Sequence, residues 1–159
     1  MMTIETQRLR LRALQTGDAN ALLGIYGDAH TMRFESDDVV IQQATVLILL
    51  THIERLLAEG LSDEWGIVLQ DPARLVGTCS LHGFEPRTGS AEVGCLLTRE
   101  FRGQGYMREA LSALFRYAAQ ELRLVALRAE IDELNTRSIH LFLSLGFQKA
   151  GTTLYVRKL

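Results

Sequence analysis

The spacing of apolar side chains alternates between the period of a strand and that of a helix. Residues 4–14 alternate strongly, with arginines at 8, 10 and 12 on one side and apolar residues at 9, 11 and 13 on the other, which predicts a half-buried strand. Apolar residues from position 107 to 122 recur every three or four residues, the spacing of an amphipathic helix. Both periods in one chain predict a sheet with helices packed on it.

The same spacing, read with the turn residues, places the other elements. Helices are predicted over 18–26 and 40–59, the second ended by Gly60, and from an N-cap at Asn135 to Gly146. Strands are predicted at 65–69, 74–81, 91–97, 124–131, 147–149 and 153–157. This order of about seven strands and four helices predicts a mixed α+β (or α/β) fold, and we expect a single domain over 1–159.

Charge and hydropathy exclude several classes of function. The 159 residues carry 17 basic and 19 acidic side chains, without the basic excess that is typical of nucleic-acid binding. The longest apolar run, 46–50, is far shorter than the ~20 residues that cross a bilayer. Residues 1–12 lack the apolar segment of a signal peptide. We therefore expect a cytoplasmic protein without a nucleic-acid or membrane partner.

The two cysteines do not indicate a metal site. Cys79 and Cys95 are 16 residues apart and have no ligand-spaced histidine or further cysteine, so no metal is expected. Both lie in apolar, strand-like runs, which favours buried free thiols in a reducing compartment. Neither has a base beside it, so a covalent enzyme intermediate is not expected.

The segment 97–111 carries the clearest chemical pattern. A strand leads through a turn with Gly103 and Gly105 into an amphipathic helix, whose first N–H groups and dipole favour an anion. The glycines allow a pyrophosphate to approach the backbone, and Arg102 and Arg108 add positive charge. A Rossmann fingerprint and a P-loop do not fit the spacing. By itself the segment is equally compatible with a plain turn that opens a helix.

A family resemblance supports the phosphate-site interpretation. Arg102-x-x-Gly105-x-Met107 resembles the Arg/Gln-x-x-Gly-x-Gly/Ala signature of the GNAT superfamily of acyl-CoA-dependent N-acetyltransferases, although Met107 departs from the last position. The wider string 102–111 looks like the Rim-type branch of ribosomal-protein N-terminal acetyltransferases. The block 135–147 resembles the Asn-x-x-Ser…Leu-Gly-Phe segment of that branch, and 6–12, 30–34 and 92–95 resemble other parts of it. The resemblance implies a GNAT-like sheet, mostly antiparallel, with one splayed parallel pair.

The resemblance also implies acetyl-CoA as cosubstrate, bound where the strand ending at 97 separates from 124–131. The pantetheine arm would pair with the backbone of 95–97, and the pyrophosphate would lie on the N–H groups of 103–107. Asn135 would hydrogen-bond the arm, cap the helix, or do both. The implied cofactor-binding residues are Cys95, Leu96, Leu97, Arg102, Gly103, Gln104, Gly105, Tyr106, Met107, Arg108, Asn135, Ser138 and Phe142.

Acetyl transfer to an amine needs a base, an acid and a group that polarises the thioester carbonyl. Glu92 is the candidate base because it interrupts an apolar strand, although it could also face solvent or pair with an arginine. It lies four residues from Leu96, roughly 13 Å along a strand, so a bridging water is expected. The backbone N–H near Leu96 would polarise the carbonyl.

The general acid is less clearly indicated. Many relatives place a tyrosine where this chain has Phe142, which has no proton to donate. Ser138, one turn earlier, is the next candidate and would act by hydrogen bonding or through water, unless it only serves the first turn of its helix. His140 falls on the polar side of the helix and is expected at the surface.

The acceptor side is marked only by acidic and aromatic residues. The carboxylates within 35–38 and at 63 and 64 would attract an amine, although solvated loop acids are the simpler interpretation. Tyr26 and Phe34 would line an acceptor pocket or belong to the core, and Trp65 is expected in the core.

Together these patterns predict an acetyl-CoA-dependent N-acetyltransferase. The acceptor would be a primary amine, either a protein N-terminus or a small molecule, attacking directly in a ternary complex. The protein would be a monomer or a homodimer. Two alternatives are a non-catalytic CoA-binding sensor or regulatory module of the same fold, favoured by Phe142, and an interaction domain that binds no CoA.

Overall fold

The computed structural model describes residues 2–35, 38–40 and 42–159. Its strands form one eight-stranded sheet in the order β1-β2-β3-β4-β5-β6-β8-β7. The strands are β1 Ile4–Glu5, β2 Leu9–Ala13, β3 Ser62–Leu69, β4 Arg74–Glu85, β5 Ser90–Leu97, β6 Ala126–Glu130, β7 Gln148–Lys149 and β8 Leu154–Lys158. The α-helices are α1 Ala19–Tyr26, α2 Gln43–Ala58, α3 Tyr106–Gln120 and α4 Thr136–Ser144.

The helices pack on both faces of this sheet and give it two cores. Helices α3 and α4 cover one face, where Trp65, Leu111 and Leu127 are completely or almost completely buried. Helices α1 and α2 cover the other face, where Leu22 and Val46 are fully buried. The predicted α+β fold and the core position of Trp65 are therefore confirmed.

The sheet opens between its two central strands. β5 and β6 are the parallel pair, and their pairing runs only from Ser90 opposite Ala126 to Glu92 opposite Arg128. The last residues of β5 pair with β4 alone, up to Leu97 opposite Gly77. Every other neighbouring pair of described strands is antiparallel. This separation is the splay that the family resemblance implied.

The single strand expected over 4–14 is a hairpin of β1 and β2, so the sheet has eight strands rather than about seven. Thr6 closes the turn because its N–H donates to the Leu9 carbonyl at 2.9 Å and its hydroxyl accepts the Leu9 N–H at 2.9 Å. The alternation of 8–13 was extended across the turn to Ile4, although the apolar positions change phase between Ile4 and Leu9. Leu9 and Leu11 are buried as predicted.

Most other helix and strand boundaries differ from the predicted ones by a few residues. α2 begins at Gln43 rather than at Val40, and Ile41 lies outside the described residues. The strand predicted from Leu124 begins at Ala126, and Val125, which precedes it, is 58% exposed. Within the described part of the chain, no helix combines the length and apolar character needed to span a membrane.

Candidate active site

A cavity of about 450 Å³ lies at the splay, beside the end of β5. Four segments line it: the loop after α1, the end of β5, the turn into α3, and the first part of α4. The lining residues are His30, Thr31, Arg33, Phe34, Glu35, Cys95, Leu96, Leu97, Phe101, Arg102, Gly103, Gly105, Tyr106, Met107, Arg108, Leu134, Asn135, Thr136, Arg137, Ser138 and Leu141. The topology thus brings residues that are distant in sequence to one opening.

The turn into α3 has the conformation of an anion site. Gly103 and Gly105 have φ angles of +74° and +82°, which other residues rarely adopt. Gly105 is the N-cap of α3, and no side chain among the described residues caps it. The N–H groups of the first turn therefore remain available to a ligand, and the helix dipole favours a negative one.

Arg102 and Arg108 lie beside this turn, and both also form hydrogen bonds within the protein. The Arg102 guanidinium donates to the Leu97 carbonyl and to the Thr31 hydroxyl, both at 2.9 Å. Burial, with the charge of Arg137 adding to it, lowers the pKa of Arg102. Arg108 donates to the Ser144 hydroxyl at 2.6 Å. The cavity therefore has a cationic wall with arginines fixed in place.

Eleven of the thirteen cofactor-binding residues predicted from the sequence line the cavity. The other two, Gln104 and Phe142, do not appear in its lining. Gln104 donates its side-chain amide to the Glu100 carbonyl at 2.9 Å. Phe142 is 3% exposed and packs edge-on against Phe147, with ring centroids 4.9 Å apart.

Asn135 and Ser138 meet at the start of α4. The Asn135 side chain accepts a hydrogen bond from the Ser138 N–H at 3.3 Å, so it caps the helix as predicted. Both residues also line the cavity. His140 is exposed, as expected.

Glu92 lies outside the cavity lining, on the face of the sheet that α1 and α2 cover. It is opposite His82 of β4 and Arg128 of β6. Its carboxylate and the Arg128 guanidinium both border Gly83, whose carbonyl accepts a hydrogen bond from Arg128 at 2.9 Å. Glu92 is thus half-buried beside an arginine, four residues along β5 from Leu96.

The buried environment of Glu64 was not anticipated from the sequence. Glu64 was expected to be solvated, but it is half-buried and accepts a hydrogen bond from the Tyr26 hydroxyl at 2.9 Å. Strand alternation now supplies the reason, because β3 begins before Glu64 and turns its side chain toward α1. Glu35 and Phe34 line the cavity, whereas Ser36 and Asp37 lie outside the described residues.

Sequence comparison supports the geometry of the site. Residues 8–148 match the Acetyltransferase (GNAT) domain family, a match that spans all four segments of the cavity. The chain belongs to the GNAT family. It is therefore an acyltransferase, and its splayed strands and glycine turn are the GNAT features predicted from the sequence.

The relatives of this GNAT chain include one protein whose name gives its substrate and one whose name does not. It is 30% identical over 151 residues to the uncharacterized N-acetyltransferase p20 of Bacillus licheniformis, covering 95% of this chain and 85% of that protein. It is 36% identical over 79 residues to the ribosomal-protein-serine acetyltransferase of Escherichia coli K12, covering 48% of this chain and 43% of that protein.

A solved structure shares the whole GNAT fold. It is RimL, a ribosomal L7/L12 alpha-N-protein acetyltransferase in complex with coenzyme A. The TM-score is 0.86 at 21% identity, and the alignment covers 99% of this chain and 98% of that one. The resemblance to the Rim-type branch is therefore confirmed at the level of the fold.

The cavity fits the acetyl donor that GNAT enzymes use. Its uncapped helix start and arginines suit a pyrophosphate, and the unpaired side of β5 offers backbone groups to an extended amide-bearing arm. Within the described residues, no group of three or more histidines, cysteines or carboxylates is arranged to hold a metal ion.

Proposed function

We propose that this GNAT acyltransferase moves the acetyl group of acetyl-CoA to a primary amine, by direct attack in a ternary complex. The observation that carries the proposal is the cavity between the splayed strands, with an uncapped helix start at one end and Ser138 at the other side. Similarity to ribosomal-protein acetyltransferases favours a protein N-terminus as acceptor, and a small amine is the other class to test.

Acetyl-CoA supplies an activated thioester, and the residues of this chain bind and position it. The N–H groups of 103–107 and the nearby arginines would hold the pyrophosphate. The backbone of Cys95, Leu96 and Leu97 would pair with the pantetheine arm, with Asn135 hydrogen-bonded to it.

Direct attack is supported by the state of the cysteine in the cavity. Burial, reinforced by the Glu35 carboxylate, raises the pKa of the Cys95 thiol to about 12. Cys95 is therefore a neutral thiol at physiological pH, and a thiol is a poor nucleophile compared with a thiolate. Acetyl transfer through this cysteine is correspondingly unfavourable.

Proton transfer is assigned to two side chains. Glu92 accepts the proton of the amine through water, because its Cα is roughly 13 Å along β5 from that of Leu96. Ser138 lines the cavity and acts on the leaving thiolate by hydrogen bonding, since Phe142 at the other candidate position has no hydroxyl. The backbone N–H near Leu96 polarises the thioester carbonyl.

Phe142 also supports a second candidate function. A phenylalanine buried in the core beside Phe147 replaces the tyrosine that many relatives carry, as expected of a module that binds CoA without catalysis. Such a sensor or regulatory module would keep the cavity and lose turnover.

The first test is the release of free thiol from acetyl-CoA by the purified protein. The acceptors are peptides that begin with Ser, Ala or Thr, polyamines, amino acids and aminoglycosides. We expect turnover with one class, and Glu92→Gln should lower kcat about 100-fold or more because a general base contributes on this scale. Glu54→Gln, an exposed substitution on α2, is the matched control and should leave kcat unchanged.

One result would contradict the proposed transferase function, and another would contradict the assigned base. Binding of acetyl-CoA without turnover on any acceptor would favour the non-catalytic module. Unchanged kcat in Glu92→Gln would remove Glu92 from the proton path while leaving the transferase assignment in place.

A further inference from the structure

The side chain of His82, in β4, leans over β5 in the direction of the cavity. The register places His82 directly opposite Glu92. The next pair on the same face of the sheet is Ser80 opposite Gly94. A Cβ at Gly94 would lie 3.6 Å from His82 Nε2 and 3.9 Å from His82 Cδ2. The imidazole therefore reaches from its own row into the row of Gly94, where the absence of a side chain on β5 makes room for the ring.

The row of Gly94 is next to the proposed site of acetyl transfer. Side chains on one face of a strand repeat every two residues, about 7 Å, so Gly94 is one row from Leu96 and Glu92 is two rows from it. Along β5, the cavity lining begins at Cys95, the residue that follows Gly94. Measured along the strand, the His82 ring is about half as far from Leu96 as Glu92 is.

The Glu92 carboxylate is directed away from the cavity. Its Oε2 would lie 4.0 Å from a Cβ at Gly83, and the Arg128 guanidinium would lie 3.7 Å from the same point. Gly83 follows His82 in β4, on the side of Glu92 that is remote from the cavity. A proton that travels along this face from the cavity to Glu92 therefore crosses the row into which the His82 ring extends.

The His82 ring is free to exchange protons. A neutral imidazole accepts a proton at one nitrogen and donates from the other, and it does so most readily near neutral pH. Among the described residues, His82 is half-buried and its ring has no hydrogen-bond or ion-pair partner. No fully buried polar side-chain atom in this part of the chain lacks a partner, so the ring nitrogens of His82 reach solvent. Water or a ligand nitrogen can therefore approach Nε2.

We propose that His82 takes the proton from the acceptor nitrogen, with Glu92 behind it as the next proton acceptor. This inference rests on the proposed acetyl transfer and puts a side chain in the place of the bridging water. The nitrogen lone pair forms the bond to the thioester carbon, the N–H bond breaks and an Nε2–H bond forms. The imidazolium then releases its Nδ1 proton toward the Glu92 carboxylate opposite it, which restores the neutral ring. The thiolate that leaves as the C–S bond breaks is protonated separately.

The kinetic test compares His82→Ala with His52→Ala, a substitution of an exposed histidine on α2. On the acceptor that turns over best, His82→Ala should lower kcat about 100-fold, the scale of general-base catalysis, and leave the KM for acetyl-CoA within about twofold. His52→Ala should change neither value. A kcat in His82→Ala within about threefold of wild type overturns the proposal.

Added imidazole separates proton transfer from a structural role. A small base can enter the space that the ring leaves in His82→Ala, so imidazole should raise its kcat about 10-fold or more and leave wild type and His52→Ala unchanged. His82→Gln fills that space without a basic nitrogen and should stay slow with or without imidazole, and this variant carries the test if His82→Ala does not fold. Full activity in His82→Gln, or a loss in His82→Ala that imidazole does not relieve, would leave the ring a structural role only.

A double variant tests whether His82 and Glu92 act in one path. Residues that act as a unit do not lose activity additively, so His82→Ala combined with Glu92→Gln should be within about threefold of the slower single variant. Losses that multiply would remove Glu92 from the path of this proton and overturn the relay. Turnover that survives in His82→Ala rejects the inference and keeps the transferase, whereas a wild type that acetylates no acceptor rejects the transferase function and the inference with it.

Discussion

At the scale of single residues, one ion pair fixes the passage from β2 to α1. The Arg12 guanidinium donates to both carboxylate oxygens of Asp18, at 2.7 and 2.8 Å, and the Gln15 N–H donates to the same carboxylate at 2.8 Å. Burial acts to raise the pKa of Asp18, but the hydrogen bonds from Arg12 and Gln15 outweigh it and lower the pKa. The bidentate pair is therefore stabilising while Asp18 is ionised.

Asp18→Asn should lower the free energy of unfolding by about 2 kcal/mol at pH 7, the scale of hydrogen bonds to a charged group. Because the folded pKa is lowered, this stabilisation is complete above the unfolded pKa of about 3.9 and is lost as pH falls through the folded pKa. Urea unfolding of wild type and variant at pH 7 and in a series below pH 4 checks both statements. A difference that stays constant over this series would contradict the ionic origin.

At the scale of elements, the β1–β2 hairpin is clamped to α3 by one carboxylate. Glu109 accepts hydrogen bonds from the Thr6 hydroxyl at 2.7 Å and from the Arg8 N–H at 2.8 Å, and from the Arg8 guanidinium at 2.6 Å. Arg8 also donates to the Gln104 carbonyl at 3.0 Å and stacks 4.4 Å from the Tyr106 ring centroid. The hairpin therefore supports the turn that precedes α3.

Glu109→Ala removes the three hydrogen bonds that join the β1–β2 hairpin to α3. It should therefore lower the free energy of unfolding by about 1.5 kcal/mol and weaken coenzyme A binding about fivefold or more, because the hairpin supports the turn before α3. Calorimetric titration with coenzyme A and urea unfolding measure the two effects. Glu121→Ala, an exposed substitution at the end of α3, is the control and should leave both values unchanged. Unaltered affinity in Glu109→Ala would mean that the turn holds its shape without the hairpin.

Sequence patterns predicted the parts of the site that depend on local order. The glycine turn before Tyr106 and the Asn135 cap are encoded by neighbouring residues, so they could be predicted from the sequence alone. The approach of Glu35 to the cavity depends on packing between distant elements, so the sequence could offer it only as one of several acidic candidates. The turn at Thr6 was missed because no glycine or proline marks it, so the alternation of 8–13 was extended to Ile4.

At the scale of the whole molecule, the cavity joins elements from both cores. Leu96 packs against the core of α1 and α2, whereas Met107 belongs to the core of α3 and α4, and both line the cavity. A ligand there contacts the end of β5 together with segments that pack on both faces of the sheet. Binding should therefore stabilise the fold as one unit.

Coenzyme A at 100 times its Kd should raise the free energy of unfolding by about 2.7 kcal/mol, and the Tm by about 5–10 °C for a chain of this size. Thermal unfolding with and without ligand measures the shift. Gly105→Val should abolish most of it, since a β-branched residue is strained at a φ of +82°. If coenzyme A does not change the Tm of the wild-type protein, the remaining interpretation is an interaction domain that binds no CoA.

The sheet ends on both sides in strands of two residues, β1 and β7. Long exposed edges present unpaired N–H and C=O groups on which another chain can build, and very short edge strands remove most of that template. Growth of this sheet into a neighbouring copy is therefore disfavoured at either side. Helices and loops therefore offer a second copy more surface for association than either edge of the sheet does.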